Sequence, residues 1–360
     1  MNETVTVLGG GYGGSTVAKE LDDVADVVLV EPREAFAHTV ATLRGLVDPQ
    51  WTHRLFLPYG RLLRRGRVVR DHAVSADAGG VTLGSGERIT AGHLVLATGS
   101  SYPYPAKIDV LDTADAVAKL RATRDQLAAA ERVLLLGAGP AGLELAGEIV
   151  SAWPGKQVTI VDPAADILLG TGLPDEFRDE IRRQLTALEV TVLTGSSLTA
   201  APPTEPGTTA AFTVTTGEGA TLSADIWFRC HGTTPATSYL AADLASARTP
   251  SGHLAVTPEL HLEGHPHVFA IGDITAIAEP KMAKAAELHA KVVAATIRAR
   301  LTGGEPATYT PGPPGISLPL GPNGGASYRH ATGILGPEQT AQLKGNHLRV
   351  ENYRTLLNLP

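Results

Sequence analysis

The sequence predicts an α/β fold built from two Rossmann-like dinucleotide-binding domains, with inserted antiparallel meanders and a short C-terminal element. Two observations carry this. A pattern of apolar strand, glycine cluster, helix and second apolar strand runs from Thr4 to Val30, and the same pattern returns from Val133 to Val161. Composition agrees: there are 39 glycines and only 5% aromatic residues, which suits tight turns and small-residue packing.

Taken in order, Thr4–Leu8 reads as a buried strand, Ser15–Leu21 as a helix and Val27–Val30 as a second strand. Continuous apolar strands of this kind belong to parallel sheets covered on both faces. Residues 68–89 alternate and carry turn signals at Gly79-Gly80 and Gly84-Ser85-Gly86, so they read as an antiparallel meander. Leu94–Ala97 is a strand entering a Thr-Gly turn, and residues 115–130 have helical spacing. The repeat follows, with strand Val133–Leu136, helix Leu143–Val150 and strand Val158–Val161. Residues 199–220 read as hairpin loops, Ala224–Cys230 and Val268–Ile271 as strands, and Lys281–Arg300 as a long helix. The Pro- and Gly-rich stretch 302–325 marks a boundary before a C-terminal element too small to fold alone.

Several function classes fall away. The formal net charge is −7, which disfavours a nucleic-acid partner. A single cysteine, Cys230, leaves no pair for dithiol–disulfide chemistry. The first residues carry no basic and apolar leader and no glycine after Met1, and no apolar run approaches a membrane span. The expectation is a cytoplasmic protein with no signal peptide, no N-myristoyl group and no transmembrane segment.

The glycine clusters carry the chemistry. Gly9, Gly11 and Gly14 satisfy GxGxxG between a strand and a helix. The first glycine permits the turn, the second lets a pyrophosphate approach the backbone, and the third lets helix and strand pack closely. Glu31 ends the next strand, where a carboxylate receives ribose hydroxyls. Gly137, Gly139 and Gly142 repeat the fingerprint, and Asp162 repeats the carboxylate. Two fingerprints point to two dinucleotides, a bound FAD and a diffusing nicotinamide. Asp162 favours NADH over NADPH: at ~4 Å from a 2′-phosphate one like-charge pair costs about 1–4 kcal/mol, and residues 163–170 hold no Arg or Lys to receive it. The alternative is Asp162 as a helix N-cap facing solvent.

With these motifs in place the sequence resembles the pyridine-nucleotide flavin reductases, in the branch of ferroptosis suppressor protein and other apoptosis-inducing-factor-like NAD(P)H:quinone oxidoreductases. The matching segments are Val7–Gly14, Ala41–Arg44, Leu96–Ser100, Gly142–Ala146, Val268–Asp273, Pro280–Ala283 and Leu288–Ala290, and they span residues 4–300. Residues 301–360 match loosely. The resemblance implies a glutathione-reductase-like arrangement, with 1–110 and 253–300 as a discontinuous FAD-binding domain, 111–252 as an NAD(H)-binding domain and 301–360 as a C-terminal segment. It implies that Gly9, Gly11, Tyr12, Gly13, Gly14, Glu31, Arg44, Ala97, Thr98, Gly99, Gly272 and Asp273 hold the flavin dinucleotide. Val74 would contact adenine. Glu144 would lie near the nicotinamide, with Gly137, Gly139, Gly142, Asp162 and Gly232 around the second nucleotide. The chain departs from this branch at Cys230-His231-Gly232, where the branch has a second Thr-Gly-type turn.

Hydride transfer needs no protein nucleophile. Lys281 and Met282 begin a helix whose N-terminus would face the pyrimidine edge of the flavin and favour negative charge there. Lys281 could equally be a surface residue or pair with a neighbouring carboxylate such as Glu279. His38 sits where disulfide reductases carry their cysteines; it is read either as a proton relay over the flavin or as a structural histidine. Metal binding by His261, His265 and His267 is disfavoured, because no cysteine and no convincing acidic partner accompanies them. The run Arg61, Arg64, Arg65, Arg67 and Arg70 is a solvated face, or a docking face for an acidic electron-transfer protein or an anionic lipid. Tyr353, Leu356 and Leu357 either dock on the FAD domain or wall the acceptor pocket. The leading expectation is NADH-dependent reduction of a quinone or quinone-like molecule. A ferredoxin-type reductase and an NADH-sensing flavoprotein acting through partners are the alternatives.

Overall fold

The structure, a computed structural model, describes residues 3–360. Its larger sheet has six strands in the order His261–Leu262, His265–Ala270, His93–Leu96, Thr4–Leu8, Asp26–Val30 and Arg67–Val69. All neighbours run parallel except the edge pair 261–262 and 265–270. Leu96 lies opposite Leu8 on one side and Ala270 on the other, so two segments distant in sequence share the centre of one sheet. Val5, Val7, Leu94, Val95 and Phe269 are fully buried, as strands covered on both faces require.

The second sheet is wholly parallel, in the order Thr191–Thr194, Gln157–Asp162, Arg132–Leu136 and Ile226–Arg229. Its helix Pro140–Ala152 buries Leu143, Leu145, Ala146 and Ile149. A hairpin of Phe212–Thr215 and Thr221–Ala224 begins in the stretch expected to form hairpin loops and runs past its end, so the strand expected over Ala224–Cys230 is shorter, Ile226–Arg229.

Several boundaries differ from the sequence reading, among them the long helix expected over Lys281–Arg300, which runs from Ala283 to Thr302. Helices start earlier than the apolar periodicity suggests, at Tyr12 and Pro140, with Gly11 and Gly139 as N-caps. The last glycines of each cluster therefore sit in the first helical turn, and Pro140 takes the N1 position where its missing N–H costs nothing. Val68 does not open the meander. Val68 and Val69 extend the large sheet beside Leu29 and Val30, and the meander proper is Ala73–Asp77, Gly80–Leu83 and Arg88–Thr90. A two-residue apolar pair has no period by which to tell these apart. The C-terminal segment holds a three-stranded antiparallel sheet, Gly315–Leu318, Ala326–Arg329 and Gly333–Leu335, ahead of the helix Val350–Leu356. Its strands are three to four residues long and lie among Pro and Gly, which hid them.

No helix among the described residues is long and apolar enough to cross a membrane, and no group of His, Cys, Asp and Glu among them could hold a metal ion. His267 Nε2 instead donates to the Ala78 carbonyl at 2.8 Å.

Candidate functional site

The two glycine loops are built as copies. Gly9 takes φ +99° and Gly137 φ +120°, a region that side chains resist. A Cβ on Gly14 would fall 1.8 Å from the Gly9 oxygen, and one on Gly142 would fall 2.0 Å from the Gly137 oxygen. A Cβ on Gly11 or Gly139 would meet nothing within 4 Å among the described residues. The middle glycine of each loop thus leaves its backbone open to a ligand. Each loop is clamped by the carboxylate ending the next strand. The Gly10 amide donates to Glu31 Oε2 at 2.7 Å, and the Ala138 amide donates to Asp162 Oδ2 at 2.6 Å. The second carboxylate oxygen accepts from Arg33 N at 2.9 Å in one loop and Ala164 N at 2.7 Å in the other. Asp162 therefore caps a backbone turn as well as ending its strand.

A cavity of about 970 Å³ opens on the first loop, within the range of small-molecule and cofactor sites. Its lining includes Gly9, Gly11, Tyr12, Gly13, Glu31, Ala97, Thr98, Gly99, Gly272, Asp273, Lys281 and Met282. Gly14 lies behind it as a packing residue. From the second unit only Pro140, Ala141 and Glu144, with Thr171 and Leu173, reach the same cavity. Gly137, Gly139, Gly142, Asp162 and Gly232 stand outside its lining, around the second loop. The open Gly11 backbone, the Glu31 clamp and the cavity volume fit a bound dinucleotide.

Asp273 follows the strand His265–Ala270 and accepts from Ser100 Oγ at 2.6 Å and Lys107 Nζ at 3.1 Å. Burial opposes its charge, but the Lys107 ammonium and these hydrogen bonds outweigh it and hold the carboxyl below its usual range. Lys107 lies 166 residues away in sequence and follows no motif, so sequence reasoning missed it. Lys281 donates to the carbonyls of Thr275 at 2.7 Å and Ile277 at 2.9 Å, and does not pair with Glu279. Burial pulls its ammonium below its ordinary range, against Glu279 and Asp273, which push it up. The helix behind it starts at Ala283, with Met282 as N-cap, and its first turn opens on the cavity.

Five expected residues take other places. Arg44 is buried and off the cavity. Its Nη2 donates to Glu148 Oε1 at 2.8 Å and its Nε to Glu148 Oε2, a buried charge being tolerated only where it is paired. Val74 is half exposed on the meander, outside the cavity lining. His38 is 1% exposed and off the cavity, with Nε2 donating to the Leu348 carbonyl at 2.8 Å and Nδ1 3.1 Å from Tyr12 Oη. Burial lowers its pKa to about 4, so the ring stays neutral and structural. Tyr353 and Leu357 are buried against the first unit, Tyr353 lying 4.8 Å from the rings of both Tyr12 and His38. They dock the segment and do not line the cavity.

Other C-terminal residues do form its wall: Gly315, Ile316, Ser317, Arg329, Leu343, Lys344 and Arg349. Lys344 Nζ donates to Glu144 Oε1 at 2.6 Å and to the Ser317 carbonyl at 3.2 Å, so the segment is tied to the second unit at the cavity. Cys230 is buried, and burial alone pushes its thiol up to about 12, which leaves it inert.

Known proteins share this plan. The family model described as pyridine nucleotide-disulphide oxidoreductase matches residues 3–290. Ferroptosis suppressor protein 1 of Taeniopygia guttata is 33% identical over 328 residues, covering 89% of this chain and 87% of its own. Apoptosis-inducing factor homolog B of Dictyostelium discoideum is 28% identical over 376 residues, covering 99% and 97%. Among solved structures, the sulfide:quinone oxidoreductase of Aquifex aeolicus aligns with TM-score 0.77 at 17% identity, covering 99% of this chain and 92% of that one. The shared fold, the paired glycine loops and the match over most of the chain show that it belongs to the pyridine nucleotide-disulphide oxidoreductase family.

Proposed function

We propose that this chain is an FAD-dependent oxidoreductase that takes hydride from NADH and passes electrons to a quinone or quinone-like small molecule. The observation that carries the reading is the cavity on which the first glycine loop, the second unit's Glu144 and a C-terminal wall bearing Ile316 and Leu343 converge. When bound, the flavin would supply a two-electron carrier between nicotinamide and acceptor.

The chain's own residues divide the work. Gly11 and the helix N-terminus behind it present backbone N–H groups toward a pyrophosphate. Glu31 lines the cavity where ribose hydroxyls would lie, and Asp273, charged through Lys107, offers a fixed acceptor for a polyol chain. Met282 and the first turn from Ala283 aim the positive end of a helix at the cavity. Residues 1–110 and 253–300 form the flavin domain in this reading, 111–252 the NAD(H) domain and 301–360 the acceptor wall. The single buried cysteine provides no thiol relay, so a bound flavin would have to hand electrons on without one. Ile316 and Leu343 supply apolar surface for a flat ring. The neighbour of similar fold from Aquifex aeolicus is a sulfide:quinone oxidoreductase, which accords with an acceptor of this class.

Steady-state turnover tests the reading. NADH consumption should rise with short-chain quinones and stay at background with an iron–sulfur protein. Turnover confined to the iron–sulfur protein would contradict it.

A further inference from the structure

Behind the Gly272-Asp273 turn lies a buried polar cluster that none of the residues lining the cavity explains. His289 is 1% exposed, on the second turn of the helix Ala283–Thr302. The Gly272 amide donates to its Nδ1 at 3.0 Å, so Nδ1 carries no proton. Its Nε2 therefore holds the ring proton and donates to Glu279 Oε1 at 2.7 Å. Glu279 Oε2 accepts from Tyr309 Oη at 2.7 Å, and the Tyr309 ring meets the His289 ring edge-on at 4.4 Å. Glu279 thus fixes the tautomer from one side, and Tyr309, near the start of the C-terminal segment, fixes Glu279.

The other end of the Gly272 peptide is also held. Its carbonyl accepts from Thr275 N at 3.1 Å and Thr275 Oγ1 at 3.0 Å. Gly272 has φ +70°, a conformation that keeps the turn tight beneath Asp273. Ala286, one helical turn before His289, would lie 3.1 Å from any Cβ at this position. The helix therefore presses on the turn and also supplies its one side-chain acceptor.

We propose that His289 is a positioning residue for the flavin site: as a hydrogen-bond acceptor locked by Glu279, it holds the Gly272 amide and so aims Asp273 and the turn backbone at the cofactor. It touches no substrate and acts through Gly272. This rests on the reading that FAD occupies the cavity beside Asp273.

The two ring nitrogens can be tested apart, because Asn places an oxygen near Nδ1 and Gln places an amide near Nε2. FAD is titrated into apo-protein by flavin fluorescence for wild type, His289→Leu, His289→Gln and His289→Asn, with a thermal melt of each apo-protein. Loss of one buried hydrogen bond, about 1 kcal/mol, corresponds to roughly fivefold to tenfold in dissociation constant. His289→Leu and His289→Gln should weaken FAD binding by that amount at comparable melting temperature, while His289→Asn stays within about twofold of wild type. Equal loss in all three variants, or loss in none, would overturn the acceptor role while leaving the flavin reading intact. A wild-type apo-protein that binds no FAD would overturn the flavin reading and this inference with it.

Discussion

Arg44 and Glu148 meet as a buried bidentate ion pair that joins the short helix Thr42–Val47 to the helix Pro140–Ala152 of the second unit. Arg44 Nη2 also reaches the Gly345 carbonyl at 3.2 Å, and Trp51 lies under the guanidinium at 5.3 Å. One charge therefore pins both units and the C-terminal segment around the cavity.

Removing either partner leaves the other charge buried and unpaired. Arg44→Met and Glu148→Met should each cost about 3–5 kcal/mol of stability, and the double variant should recover most of it. Urea unfolding of the three variants measures this. Should Arg44→Met instead weaken FAD binding with little loss of stability, Arg44 would be a cofactor ligand after all.

His38 couples stability to pH. Its pKa is about 4 in the folded chain against an ordinary 6.5, because burial disfavours the imidazolium. Between those values the unfolded chain binds the proton and the folded chain does not. This contribution is full above pH 6.5 and is lost as pH falls toward 4, by about 3 kcal/mol in all. His38→Gln should flatten that part of the stability profile. The pH dependence of kcat should keep its shape, since the ring does not reach the cavity.

How much of this was legible in the sequence follows from distance along the chain. The glycine loops, Glu31 and Asp162 sit within one strand–helix–strand unit each, so spacing alone placed them. Arg44 and Glu148 are 104 residues apart, Lys107 and Asp273 are 166, and Lys344 and Glu144 are 200. Such pairs are set by how the units pack, and no local period records them. His38 was read as a relay or a structural residue; the Leu348 carbonyl that decides the matter comes from the far end of the chain.

Asp162 sets nucleotide preference if it reaches the ribose as Glu31 reaches the cavity. Wild type should favour NADH, and Asp162→Ala should weaken NADH and narrow the gap to NADPH, whose phosphate it no longer repels. Because Asp162 also clamps the Ala138 amide, the variant should lose about 1 kcal/mol of stability as well. Ratios of kcat/KM for the two nucleotides measure the preference; a wild type that favours NADPH would show that the carboxylate serves the backbone turn alone.

The C-terminal segment divides into a dock and a wall. Tyr353→Ala should destabilise the fold by about 3–5 kcal/mol, as loss of a buried aromatic does. Truncation before Asn352 should do the same and so reduce FAD content together with turnover. Ile316→Ala and Leu343→Ala remove apolar wall and should raise the quinone KM about fivefold each, near 1 kcal/mol, with the NADH KM within about twofold. Unchanged quinone kinetics in both wall variants would place the acceptor elsewhere.

The most direct test is an anaerobic titration of the purified, FAD-loaded protein followed by visible absorbance. Stoichiometric NADH should bleach the flavin band and added quinone should restore it, with FAD, not FMN, released on denaturation. A flavin band that NADH leaves unchanged, or a protein that carries FMN or takes up no flavin, would contradict the proposed function.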